Sequence, residues 1–394
     1  MTQSTAVPSA QELLANYASE QPFFFATPEH TLLGQGHYAK VPSADNLLDL
    51  SKNVDAALKK AKAAGHPNPV VVGAIPFDGH QTACLSIPQT VLRAGPLASQ
   101  PLGQGEKMNY SIAAEPAPQV YAAGVAEAVE RMKSKLLSKV VLARTLSVST
   151  EKEFDVGYLL ARLAGNNASG YTFAVNLDDA EQGTLIGASP ELLLSRNGVY
   201  VRSNPLAGSA ARAYQPQEDA RRCDVLLNSA KDLYEHKVVA DAVAANLRPF
   251  CSHLVAPASP NLVSTATMWH LASDIRGQLQ DESASSLWLA AHLHPTPAVC
   301  GYPNQAARDL IAELEPFDRG FYTGMVGWCD AEGNGEWIVT IRCAKVKGKQ
   351  VRLFAGAGVV VDSTPQSELT ETAAKFKTML NALGLSADAA EGAV

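Results

Sequence analysis

The sequence predicts an α+β fold with mostly antiparallel sheet. Two observations carry this expectation. Strand-like segments come grouped as hairpins, and long helical stretches stand apart from them. A βαβ alternation, which would signal a parallel sheet, is missing from the pattern.

The elements follow in order. The segment Arg93 to Gln119 holds four prolines and three glycines with little periodicity, and reads as a long loop. It is either a surface excursion or a join between a more variable N-terminal part (1–120) and a core (121–386) within a single 1–394 domain. Lys139 to Ser149 alternates a bulky face (Val140, Leu142, Arg144, Leu146, Val148) with a smaller one, as a strand does. Further strands are expected at Thr172–Leu177, Thr184–Ala188, Glu191–Ser195 and Val199–Ser203. Arg196-Asn197-Gly198 is the hairpin turn between the last two. A helical region spans Pro216 to Leu247. Trp337–Lys345 and Val351–Val361 form another hairpin around Lys347-Gly348-Lys349. A last helix starts after Thr364, with Pro365 at its first position. Ala387 to Val394 reads as a frayed tail.

Composition narrows the function classes. The 394 residues are 46% hydrophobic and 18% charged, enough apolar material for a large core. The formal charge is −7 and the basic residues are scattered, so no nucleic-acid partner is expected. The best apolar run, Val70 to Phe77, is broken by Gly73 and Pro76 and is too short to span a membrane. The first ten residues lack a basic segment followed by an apolar one. The six cysteines form no Cys-x-x-Cys pair, and the histidines no His-x-x-x-His. A cytoplasmic, reduced, monomeric protein without structural zinc is the expectation.

Several residues could carry chemistry. Lys139 is either an exposed strand-end lysine or a buried base facing a cleft. Arg342 shares a small face with Thr340 and Ala344, which suits either a carboxylate clamp or a structural ion pair. Glu191 follows Ser189-Pro190 and precedes three leucines, where a carboxyl can stay protonated, unless it is an ordinary turn glutamate. Glu235 lies off the apolar line Leu226, Leu233, Ala240, Leu247 and shares a face with Val238, Val239 and Ala242. A metal, or a salt bridge to Lys231, would satisfy it. Glu368, Glu371 and Lys375 are spaced to point the same way, as a magnesium site or as a solvated face. Phe354-Ala-Gly-Ala-Gly-Val359 reads as closely approaching backbone with N–H groups for an anion, and not as a dinucleotide fingerprint.

Taken together, these segments resemble the chorismate-utilising enzymes, and within them the isochorismate synthases of catecholate siderophore pathways. The resemblance runs from Pro22-Phe-Phe-Phe-Ala26 and Val71-Val-Gly-Ala-Ile-Pro-Phe77 through Gly187-Ala-Ser-Pro-Glu191, Pro205-Leu-Ala-Gly-Ser209 and Lys231-Asp-Leu-Tyr-Glu-His236. It continues through Trp269-His-Leu271, His294-Pro-Thr-Pro-Ala298 and Thr340-Ile-Arg-Cys-Ala-Lys345 to the last helix. It implies one large domain of layered, mostly antiparallel sheets flanked by helices, with a deep cleft holding Mg²⁺, Lys139 as the base that activates water and Glu191 as the acid facing the departing hydroxyl. It implies Glu235 and Glu371 as magnesium carboxylates, with Glu368 nearby through water. Arg342 and Lys375 would hold substrate carboxylate beside the Gly356 backbone, and Gly208, Ser209, His270 and Ala298 would line the substrate pocket. The implied reaction converts chorismate to isochorismate for 2,3-dihydroxybenzoate, with an isochorismatase as a possible downstream partner. Ala207 stands where amine-transferring relatives carry a nucleophilic lysine, so water is the expected nucleophile. Pro295-Thr-Pro297 disfavours an anthranilate synthase. A salicylate synthase, and an inactive chorismate-binding scaffold, are the alternatives.

Overall fold

In the computed structural model, residues 8–99, 109–177 and 183–385 are described. Among them, two large antiparallel sheets pack face to face. The first has ten strands. Its path is Gly301–Tyr302, Lys139–Thr150, Gln350–Val359, Cys343–Lys347, Thr184–Ser189, Tyr171–Asn176, Phe23–Ala26, Thr31–Gln35 and Thr90–Ala94, and Tyr110–Glu115 also pairs with Lys139–Thr150. The second has nine, in the order Cys251–Val255, Ile275–Leu279, Tyr200–Asn204, Leu192–Asn197, Gly335–Val339, Met325–Asp330, Val70–Ile75, Cys84–Ile87 and Ala39–Lys40. A small third sheet joins Leu206–Ala211, Met268–Ala272 and Asn261–Ser264.

Sheets covered on both faces need strands apolar on both faces, and the sequence supplies them. In the run Phe23-Phe24-Phe25, Phe23 and Phe25 point between the sheets while Phe24 points to the helix layer. Outside the first sheet lie the helices Val156–Gly165 and Pro365–Leu383, whose Leu160, Phe376 and Leu380 are buried against it. Outside the second lie Leu47–Ala63, Ser286–Leu293 and part of Ala230–Leu247. The result is a helix–sheet–sheet–helix stack, the α+β architecture expected.

Three expectations need correction. The segment 93–119 is not all loop: Arg93 and Ala94 end a strand, Tyr110–Glu115 is another, and a helix begins at Pro118. Its prolines and glycines masked the alternation of Tyr110-Ser-Ile-Ala-Ala-Glu115. The helical region 216–247 is two helices, Pro216–Asn228 and Ala230–Leu247. Ser229 breaks it with extended backbone (ψ 111°), and its hydroxyl accepts the Asp232 N–H to cap the second helix. On that helix the buried line is Glu235, Val239, Val243 and Leu247, while Leu233 and Ala240 are half-exposed. Trp337–Lys345 is not one strand: Gly335–Val339 belongs to the second sheet and Cys343–Lys347 to the first. Residues 387–394, read as a tail, lie outside the described residues.

Candidate active site

The chain passes between the two large sheets at two neighbouring places, and each carries a candidate residue. Between Ser189 and Leu192 it leaves the first sheet for the second, at Glu191. Between Val339 and Cys343 it returns, at Arg342. The crossings are tied together. Ser189 Oγ donates to the Val339 carbonyl (2.7 Å), the Val339 N–H donates to the Glu191 carbonyl (3.1 Å), and the Ala188 N–H donates to the Arg342 carbonyl (3.0 Å). Arg342 adopts φ 50°, a left-handed conformation that breaks the strand alternation on which its face was read. Its guanidinium therefore points into the junction of the sheets rather than across one of them.

A cavity lies at this junction. All the expected site residues line it except Lys139 and Glu368. Glu191 is buried, and the Leu206 N–H donates to its Oε1 (3.4 Å). Burial pushes its carboxyl up to about 7, against the opposing pull of that N–H, Lys139, Arg342 and Lys375. Arg342 Nη2 lies 3.0 Å from His270 Nε2. Burial, then the charges of Arg342 and Lys375, hold His270 well below its ordinary value. The ring is thus neutral, and Nε2 accepts the arginine's hydrogen bond.

The carboxylate side is built by two helices against a glycine strand. Lys139 is fully buried, not exposed, and its Nζ lies 2.9 Å from Glu235 Oε1. Lys231 does not pair with Glu235; it donates to Glu368 Oε1 (2.6 Å). Lys375 bridges Glu371 (2.6 Å) and the Gly356 carbonyl (2.8 Å). The glycine strand thus offers a carbonyl to a lysine. Its glycines are there for space: a Cβ on Gly358 would fall 2.0 Å from Glu235 Oε1 and 3.0 Å from Lys139 Cε. Burial and the neighbouring Glu371 raise the Glu368 carboxyl, against Lys231. Burial pushes Glu371 the same way, but Lys375 and then Lys231 outweigh it and hold it below its ordinary value.

These are hard oxygen donors with no thiol or imidazole among them, as magnesium prefers. Glu368 Oε2 is buried without a hydrogen-bond partner, and Glu368 and Glu371 repel across one helical turn, so a divalent cation fits here. Among the described residues no three acidic, histidine or cysteine side chains converge to enclose an ion. Water and substrate oxygens would have to complete its shell. Sequence reasoning missed other lining residues, Val141, Val299, Tyr322, Thr323 and Ile341. Thr323 has φ 60°, and the flanking Gly320 and Gly324 of this tight segment were the signal available.

The profile of the chorismate binding enzyme family matches residues 88–384. Isochorismate synthase DhbC of Bacillus subtilis is 50% identical over 387 residues, covering 95% of this chain and 96% of the relative. The vibriobactin-specific isochorismate synthase of Vibrio cholerae is 44% identical over 377 residues, with 95% of each covered. The crystal structure of a putative 2,3-dihydroxybenzoate-specific isochorismate synthase, DhbC from Bacillus anthracis, superimposes with a TM-score of 0.91 at 47% identity, over 96% of this chain and 100% of that one. Matched along its motifs, its cavity-bearing core and its whole fold, this chain belongs to the chorismate-binding enzyme family.

Proposed function

We propose that this chain is an isochorismate synthase serving 2,3-dihydroxybenzoate and siderophore formation, in line with its similarity to the 2,3-dihydroxybenzoate-specific and vibriobactin-specific isochorismate synthases. The observation that carries the reading is Glu191, a buried carboxyl poised near neutrality in the same cavity as the Arg342 and Lys375 cations. Arg342 and Lys375 hold a carboxylate of chorismate and orient its ring. Lys139 takes a proton from the water that adds at ring carbon 2. The double bonds shift and the carbon-4 hydroxyl leaves as water with the proton of Glu191. One water enters and one departs, so the reverse reaction uses the same groups in exchanged roles. Glu235 and Glu371, with Glu368 through water, would hold Mg²⁺, which supplies charge neutralisation for the substrate carboxylate. Ala207 offers no amine, so water and not a lysine is the nucleophile.

Incubation of the purified chain with chorismate and Mg²⁺, followed by chromatography, tests this. Isochorismate should appear without stoichiometric pyruvate, and no aminated product should form with ammonium present. Salicylate and pyruvate as the main early products would instead establish the salicylate-synthase alternative, which the relatives named above do not support. No conversion at all would point to a binding scaffold.

A further inference from the structure

The Lys139 strand has an unusual edge. On one side it pairs with Gln350–Val359 from Val140 to Ser149. On the other side it has two short neighbours with a gap between them. Gly301–Tyr302 covers Lys139 and Val140, and Tyr110–Glu115 covers Thr145 to Thr150. On one side of the gap the pairing ends where the Cys300 carbonyl accepts the Val141 N–H (2.7 Å); on the other, Tyr110–Glu115 stops against Pro116, which has no N–H to continue a ladder. This leaves the Val141 carbonyl and the Ala143 N–H without a strand partner on that side, and Val141 lines the cavity.

A buried ion pair fills the gap. Glu315 Oε1 accepts the Ala143 N–H (2.8 Å), and Arg319 Nη2 donates to the Val141 carbonyl (2.7 Å). Arg319 and Glu315 also bind each other through Nε (2.8 Å) and Nη2 (2.5 Å). Both side chains are 3% exposed. The remaining guanidinium nitrogen, Nη1, donates to the Val299 carbonyl (2.8 Å) and Thr323 Oγ1 (3.3 Å). One planar fork thus meets three walls of the cavity, since Val141, Val299 and Thr323 all line it.

We propose that Arg319 and Glu315 are positioning residues that stand in for a missing strand, holding the Lys139 strand at a fixed distance from the Val299 and Thr323 walls. This inference rests on the reading of Lys139 and Glu191 as the reacting pair. A lysine at 319 keeps the charge opposite Glu315 but cannot span both carbonyls. Misplacement of reacting groups by about 1 Å costs on the order of 10²-fold in rate. Arg319→Lys should therefore lower kcat by roughly 10- to 10²-fold while KM changes by less than about 3-fold. The double variant Arg319→Met, Glu315→Met removes both charges together, which spares the chain a buried unpaired ion, and should show the same kcat loss.

Turnover is measured per folded molecule, well below each melting midpoint, with hydrogen exchange at the Ala143 amide of the unaltered chain as a separate arm. That amide should exchange as slowly as those of the flanking paired residues. If Arg319→Lys or the double variant only melts lower while kcat stays within 2-fold, or if only KM moves, the pair is merely structural and the proposal falls. If neither variant folds, exchange decides: an Ala143 amide that exchanges like an open strand edge overturns the brace. An unaltered chain that makes no isochorismate but protects this amide sinks the reading of the activity and leaves the brace intact.

Discussion

Replacing Glu191 by Gln should cripple turnover and, at alkaline pH, make the protein more stable. A carboxyl at its ordinary 4.5 would be protonated in about one molecule in 300 at pH 7, whereas one held at about 7 is protonated in about half. Burial thus raises the proton-loaded fraction by roughly two orders of magnitude, equivalent to about 3 kcal/mol. That energy comes from stability. The folded-state carboxyl lies above its unfolded value, so the unfolded chain binds fewer protons and stability falls as pH rises from about 4.5 to about 7, then levels off. Glutamine is neutral throughout, keeps the shape and can accept the Leu206 N–H. Glu191→Gln should therefore raise the melting midpoint at pH 8, where the parent carries a buried carboxylate, and leave it nearly unchanged at pH 4.5. Its kcat should fall by about 10²- to 10⁴-fold, the usual range for a general acid. In the parent, turnover should decline about tenfold per pH unit above about 7 on the limb set by this acid. Thermal melts at the two pH values and a pH–rate profile measure all three. Equal melting midpoints at pH 8, or a profile flat to pH 9, would refute the reasoning.

Lys139→Ala should lower kcat by about 10²- to 10⁴-fold with a smaller effect on KM. It should also cost about 3–5 kcal/mol of stability in urea unfolding, because it leaves the Glu235 carboxylate without its buried partner. Arg342→Ala should show the opposite balance, a raised KM as its main defect. If Lys139→Ala instead kept kcat and bound substrate poorly, Lys139 would be an anchor. Gly358→Ala should lose about 10-fold or more in kcat with the fold retained, since the new methyl must displace the Glu235 carboxylate. Calorimetric titration should show Mg²⁺ affinity rising when chorismate is present and lost in Glu235→Ala or Glu371→Ala, and chelator should stop turnover. Full activity in chelator would remove the metal from the mechanism.

Hairpins, the last helix and the double-faced strands were legible because period and turn chemistry are local. The turn at Arg196-Asn197-Gly198 and the capped start at Thr364-Pro365 sit where the residues put them. Glu235 was suspicious because it left the apolar line, and the structure makes it part of the buried line with Lys139 opposite. Arg342 was found for an incomplete reason. Its alternation fails because the left-handed backbone at 342 is imposed by the passage between sheets, a long-range event that no window of residues reports. The same holds for Arg319 and Glu315. Glu315 follows the helix Asn304–Leu314 and Arg319 lies four residues on, and only the gap in the Lys139 strand, 172 to 178 residues earlier, gives them work.

The interleaving of the sheets bears on how this protein could be cut. Residues before 121 supply Phe23–Ala26, which covers one edge of Tyr171–Asn176, and Val70–Ile75, which covers one edge of Met325–Asp330. A fragment starting at residue 121 would keep the candidate catalytic side chains yet expose both of those edges, each a row of open amides and carbonyls on largely apolar residues. Such edges recruit other chains. Trimming the protein to its chemistry would therefore yield an aggregate rather than a smaller enzyme, and the N-terminal strands serve the chain as its guard against self-association.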